Sequence, residues 1–309
     1  LTRYYQGLEI ALDQPTSDPP APPNIDAFPR KRDLLLETTE IRSGLLDIYA
    51  LRGCHITNLV AGHNNQLGKV APLSQQWLYE LKLWRLLSEC RQSEQARKLA
   101  KEDRNRLSHL LEFKTRQLPT ISYNALVGSD EWRSNFSRAS TPLPPDDFSA
   151  VDEQLPALHY LTAAVQQQYD PNWQPESATL ESHFERLQQR PLSAELLRTL
   201  MLATTVLADS NALLKGVTDP SSCPSDEALV LPQPPNWLEP LREQANTWFN
   251  AMETLLDAHV AGTPDFVLYR QTWLAPGSAT SPLTRYEVAL DEHFQLRRHV
   301  TRICQPTFP

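Results

Sequence analysis

Ala61-Gly62-His63-Asn64-Asn65-Gln66-Leu67-Gly68-Lys69-Val70 separates two stretches of helical periodicity, and the fold turns on how it is read. Before it, Ile41, Leu45, Ile48, Tyr49, Ile56, Leu59 and Val60 recur at steps of three and four from about Thr38. After it, Pro72 and Ser74 mark a new start, and Trp77, Leu78, Leu81, Trp84 and Leu87 form a second apolar stripe. Gly62 and the asparagines accept the left-handed backbone that ends helices, so the stretch is predicted to be the bend of a long helical hairpin. A phosphate-binding loop is the competing reading. It fails because the motif G-x-x-x-x-G-K-[ST] has one residue fewer between its glycines, because Val70 stands where a hydroxyl would bind magnesium, and because a helix rather than a strand precedes it. His63, Asn64, Asn65 and Lys69 are then a polar cluster on an exposed bend, a candidate recognition loop.

Composition supports helices throughout. The 309 residues contain 9 glycines and 26 prolines, against ordinary usage of roughly 7% and 5%. Scarce glycine argues against many hairpin turns and against glycine-rich phosphate loops. The prolines fall mostly between periodic segments. The formal net charge of -8 lacks the electrostatic footprint of a nucleic-acid binder, and no nucleic-acid partner is expected. No run of ~18 apolar residues marks a membrane span.

Outward from the hairpin, Tyr4, Tyr5, Leu8, Ala11 and Leu12 give a short amphipathic helix, followed by a proline-rich connector to residue 29. Residues 93–118 read as a long, half-exposed helix ending at Pro119, and 120–137 as one or two short ones. Prolines 142, 144 and 145 make the clearest internal break. Beyond it, helical stripes run over 147–169, 176–190 and 193–215, with Ser193 as an N-cap. Others follow a proline-rich loop at 217–236, with Asn236 as the next N-cap. Phe266-Val267-Leu268-Tyr269 fits either strand or helix, and Ser281-Pro282 starts the last helix. The prediction is an all-α, irregular bundle of about ten helices with the long hairpin near its N-terminus. Residues 1–29 form an N-terminal helix and connector. Residues 30–309 form one large helical domain, or two packed halves meeting near 140–150.

Helix arithmetic bears on the four cysteines. Cys54 and Cys90 are each 18 residues from Pro72, so an antiparallel hairpin would place them at one height. Their disulfide would close a loop of 37 residues, for a stabilisation on the order of 3–4 kcal/mol in the chain-entropy model. Cys223 and Cys304 are left for each other. The alternative is four reduced thiols in a cytosolic protein.

No constellation signals chemistry. The eight histidines form no H-E-x-x-H or i, i+4 pair and read as surface or helix-edge residues. G-x-S-x-G is absent. Adjacent acids such as Asp291-Glu292 point in different directions on a helix. Trp173, between Pro171 and Pro175, reads as an exposed aromatic contact. No catalytic residue, cofactor or metal is expected.

The run Ile41 to Leu51, Arg52-Gly53-Cys54, the bend from His63 to Val70, Tyr79-Glu80 and Cys90 resembles an uncharacterised family of proteobacterial proteins described as lipoproteins of unknown function. In that family the bend reads Arg-Asn-Ser followed by Leu-Gly-Lys-Val, and His63 and Asn65 depart from it. The resemblance implies the periplasmic side of the cell envelope. It also implies a lipid anchor upstream of Leu1, in keeping with a start at Leu1, the connector and paired cysteines. The leading expectation is a non-catalytic envelope module that binds or scaffolds an envelope protein. The alternatives are a periplasmic binder of a small ligand, with a pocket between helical halves, and an enzyme with an unfamiliar site.

Overall fold

The protein is described here by a computed structural model covering residues 1–39, 50–64, 70–137, 141–145, 147–224 and 229–304. Within these residues the chain is all-α, with no strand. Helix α1 is Thr2–Ala11, and a single turn forms at Lys31–Leu34. The next helices are α2 Thr57–Asn64, α3 Leu73–Gln92, α4 Glu94–Lys98, α5 Lys101–Val127 and α6 Asp130–Asn135. They are followed by α7 Ser149–Gln166, α8 Ser177–Gln188, α9 Leu192–Lys215, α10 Leu238–Asp257, α11 Pro264–Tyr269 and α12 Pro282–Cys304.

One large apolar cluster forms the centre. It takes Trp77, Leu118 and Trp132 from before the proline run at 142–145, and Leu161, Leu200, Trp248 and Leu290 from after it. The longest contacts are α9 along α12 and α3 along α5, with α7 packed against both α8 and α10. The run Ser177–Lys215 is long and apolar enough to cross a membrane by composition, but 67% of that window is buried inside the protein. It is core. The proline-rich connector also lies on this core, where the Phe28 ring stacks on Phe136 at 4.4 Å and meets Tyr269 edge-on.

Two satellite clusters flank the centre. The first gathers Leu51, Cys54, Ile56, Leu83, Leu87, Cys90, Ala96, Leu107 and Leu111. The second gathers Tyr4, Leu8, Leu12, Leu214, Val217, Leu229, Leu231 and Val300. Helix α3 serves two clusters, with Trp77 and Leu81 turned to the centre and Leu83, Leu87 and Cys90 to the first satellite. Clusters this small remove too little apolar surface from water to hold chain against its entropy without help.

Several expectations are corrected. A long N-terminal hairpin is not evident. Positions 41–49 of its first arm lie outside the described residues. The next residues form a 3-10 turn, Arg52–Cys54, and His55 takes a left-handed backbone with φ 58° that breaks the arm. Gly62 lies inside α2, which ends at Asn64, one of the two asparagines expected to end it. Pro119 does not end α5, which runs on to Val127. A proline inside a helix frees the carbonyl four residues before it. Here that carbonyl belongs to Thr115, and the Tyr169 hydroxyl donates to it at 2.8 Å. Ser193 lies inside α9 rather than capping it. Its buried hydroxyl bonds Asn135 and accepts from Trp248 Nε1 at 3.0 Å. Asn135 in turn donates to Gln154 at 2.8 Å, so the node ties α6, α7, α9 and α10 together. Trp237, not Asn236, precedes α10. Phe266–Tyr269 is helical, and Ser281 caps α12 through the Thr284 amide at 3.3 Å.

Candidate functional site

His63 lies near the end of α2, and its ring stacks on Tyr79 of α3 at 3.9 Å and 15°. It is half-buried rather than free for recognition. Asn64 is the last residue of α2. Asn65 and Lys69 lie outside the described residues.

The cysteines form two bonds. Cys54 joins Cys90 with a Cα separation of 5.2 Å, and Cys223 joins Cys304 at 5.6 Å. The antiparallel register explains the first. His63 and Tyr79 are each eight residues from Ala71, as Cys54 and Cys90 are each eighteen from Pro72. The chain therefore returns along α3 in nearly the expected register, although its first arm is broken. Each disulfide closes one satellite cluster.

The richest polar geometry lies where α1, α9 and α12 meet. Arg297 donates from Nη1 to the Tyr4 hydroxyl at 2.7 Å. Tyr4 stands 2.6 Å from His293 Nε2, and His293 Nδ1 stands 2.7 Å from Asn211 Oδ1. Asn211 Nδ2 donates to Ala289 O at 3.0 Å and to Glu292 at 3.2 Å, which fixes Oδ1 as the acceptor. The order follows. His293 carries its proton on Nδ1, and Nε2 accepts from Tyr4. Lys215 closes the chain on Glu292 at 2.8 Å and holds that carboxyl below its usual range.

A hydroxyl, an imidazole and an orienting amide have the form of a nucleophile, base and orienter. The surroundings prevent that use. His293 is 0% exposed, and burial, helped by Arg297, lowers its pKa to about 4. Burial raises the Tyr4 phenol, against Arg297. At neutral pH Tyr4, His293 and Asn211 at its centre are uncharged and hydrogen-bonded, and they seat α1. The expectation that all histidines sit at surfaces or helix edges fails here. His293 follows Leu290 by three and Tyr286 by seven on the buried stripe of α12, a signal present in the sequence.

Outside the relay an open groove of about 850 Å³ runs along α12, lined in part by Arg297, Arg298, Thr301, Arg302 and Phe294. Glu239 and Asp291 at its edge both engage Arg242. They are not a free acid–base pair. Arg298 and Arg302, four apart on one helix face, have no ion-pair partner among the described residues. No group of three His, Cys, Asp or Glu side chains able to hold a metal occurs among the described residues.

These features define a class: an all-helical protein stapled by two disulfides, with a groove open to solvent and a buried relay that serves structure. Its family model is matched over residues 1–232, three quarters of the chain, and the chain belongs to that family, described as a protein of unknown function (DUF3080). No curated protein and no solved structure matches it. The groove residues of α10 and α12 lie beyond the matched span.

Proposed function

We propose that the chain is a non-catalytic binding module on the periplasmic side of a bacterial cell envelope, held there by a lipid anchor, and that its contact surface is the groove along α12. The observation that carries the location is the pairing of all four cysteines in two bonds, each closing a satellite cluster. Such bonds persist in oxidising compartments and are rare in the cytosol. The lipoprotein part rests on the resemblance of the 41–90 stretch. The binding role is supported by Arg298 and Arg302, which have no ion-pair partner among the described residues and line an open groove, a setting suited to an acidic protein partner. The occupied, buried states of Tyr4, His293 and Asn211 speak against catalysis at this end of the molecule.

Crosslinking in intact cells followed by capture tests both parts. Wild type is expected to recover a specific envelope partner, and R298E/R302E to lose it. Equal recovery by the charge-reversed variant removes the groove as the contact surface. A thiol count on protein denatured without reductant is expected to find none. Four free thiols would overturn the envelope location.

A further inference from the structure

Arg85 occupies an unusual place. On α3, Trp77 and Leu81 face the main core, and Arg85 is one further step of four along that stripe, where the period calls for an aliphatic side chain. Arg85 is 9% exposed. Its Nε and Nη2 are buried, and neither has a hydrogen-bond partner among the described residues. The Trp173 ring lies 5.6 Å from the guanidinium carbon. Asp170 and Glu89 attract the charge from a distance without pairing with it, and burial outweighs them. Buried cations are ordinarily paired and hydrogen-bonded.

Nε–H and Nη2–H point in parallel from one edge of the guanidinium, and that edge matches the two oxygens of a carboxylate. The protein contains the filled version. Arg270 grips Glu253 through the same two nitrogens, at 2.8 Å and 2.5 Å. Arg85 offers the same fork with no acid on it among the described residues.

The loop 167–176 lies against the guanidinium through Trp173. Trp173 sits there between Pro171 and Pro175, and Asp170 shapes its turn through the Asn172 amide at 2.8 Å and the Trp173 amide at 3.2 Å. The same loop brings Tyr169 edge-on to Trp84 at 5.2 Å. Aromatic surface thus gathers on the loop and on the turn of α3 that carries the unfilled fork.

We propose that Arg85 is the anchor of a binding site for a monocarboxylate with an apolar body. The carboxylate takes the Nε/Nη2 fork, and Trp173 moves to admit it. Asp170 and Glu89 keep the guanidinium charged and disfavour a dianion, so one carboxylate fits better than a phosphate. This site stands apart from the groove on α12 and does not rest on the envelope reading.

The test is titration of the full chain with benzoate, its neutral isostere benzamide, and inorganic phosphate at matched ionic strength, read by tryptophan fluorescence and by thermal shift. Benzoate is expected to give a saturable change, with benzamide and phosphate weaker by roughly tenfold to a hundredfold, the worth of a charge-assisted fork. R85M is expected to lose the response. R85K, which keeps the charge and loses the fork, is expected to weaken it by about tenfold. Absence of saturation by benzoate, an equal response to benzamide, or an unchanged response in both Arg85 variants overturns the site. A second measurement covers the internal alternative, Asp170 turned onto the fork. If D170N lowers the midpoint of unfolding as much as R85M and R85M/D170N adds nothing, Arg85 is a salt-bridge residue and the proposal is wrong. The isostere comparison on wild type stands even where R85M does not fold.

Discussion

The two satellite clusters solve the same problem differently. Each is too small to hold its share of chain by apolar burial, and each carries a disulfide. The Cys54–Cys90 cluster is nearly all apolar. The segment it retains, Arg52–Cys54 and α2, is tied to α3 by that bond, by side-chain packing and by the His63–Tyr79 stack. The α1–α9–α12 cluster has its disulfide and also a buried relay running from Arg297 to Lys215. The difference separates two roles. A covalent bond restricts the unfolded chain whatever surrounds it, whereas a hydrogen-bonded network selects one native arrangement and fails when one member is lost.

The largest effect that could break this contrast is removal of the disulfides. C54S/C90S and C223S/C304S are each expected to lose about 4 kcal/mol by loop-closure entropy. Hydrogen exchange separates them. Without Cys54–Cys90, the amides of α2 are expected to lose protection while the centre keeps it. Without Cys223–Cys304, α1 is expected to stay protected, because the relay still seats it. Equal loss of protection in both satellites would end the distinction.

Acid gives the next largest effect and tests the relay alone. The folded imidazole of His293 has its pKa lowered to about 4, below the unfolded value of about 6.5. Protonation therefore favours the unfolded chain. The stabilisation is complete above about pH 6.5 and is lost as pH falls toward 4, reaching about 3 kcal/mol. His259, lowered to about 4 by burial, acts with the same sign. Denaturant unfolding from pH 7.5 to 4 is expected to show the slope, and H293Q to remove part of it. A slope unchanged in H293Q means the relay does not carry it.

Shortening the relay comes next. Y4F deletes the hydroxyl that accepts from Arg297 and leaves His293 Nε2 without its donor, for an expected loss of about 1–3 kcal/mol. The smallest effect should be H63A, which removes the stack on Tyr79 and costs roughly 0.5–1.5 kcal/mol beyond the lost burial. A larger loss from H63A than from Y4F, by urea unfolding, would reverse the ranking of the two clusters.

The legible part of the molecule was its periodic part. Of the stripe Trp77, Leu78, Leu81, Trp84 and Leu87, the first, third and fifth are buried and Leu78 and Trp84 are half-buried, while Leu196, Leu200 and Leu207 of α9 are buried. Both cysteine pairings were legible too, one from symmetry about Pro72 and one by elimination. Trp173 was expected to stand exposed, and it is half-buried against the core beneath Arg85. The break at His55 was only faintly marked: Gly53 lies in the turn that precedes it, but the apolar period runs on through Ile56 and Leu59. Pro119 gave the wrong signal, since its helix runs on and Tyr169, 54 residues from Thr115, takes the freed carbonyl.

By itself the sequence determined the helical class, the positions of most helices and the partners of the cysteines, because those follow from local period, glycine scarcity and distances counted along one chain. The tertiary structure decided everything that depends on which distant side chains meet. Tyr4 reaches His293 across 289 residues, and Arg85 receives Trp173 rather than a carboxylate. Burial and hydrogen-bond satisfaction are properties of the packed whole, so the relay, the groove and the unfilled fork of Arg85 appear only once the helices are in place.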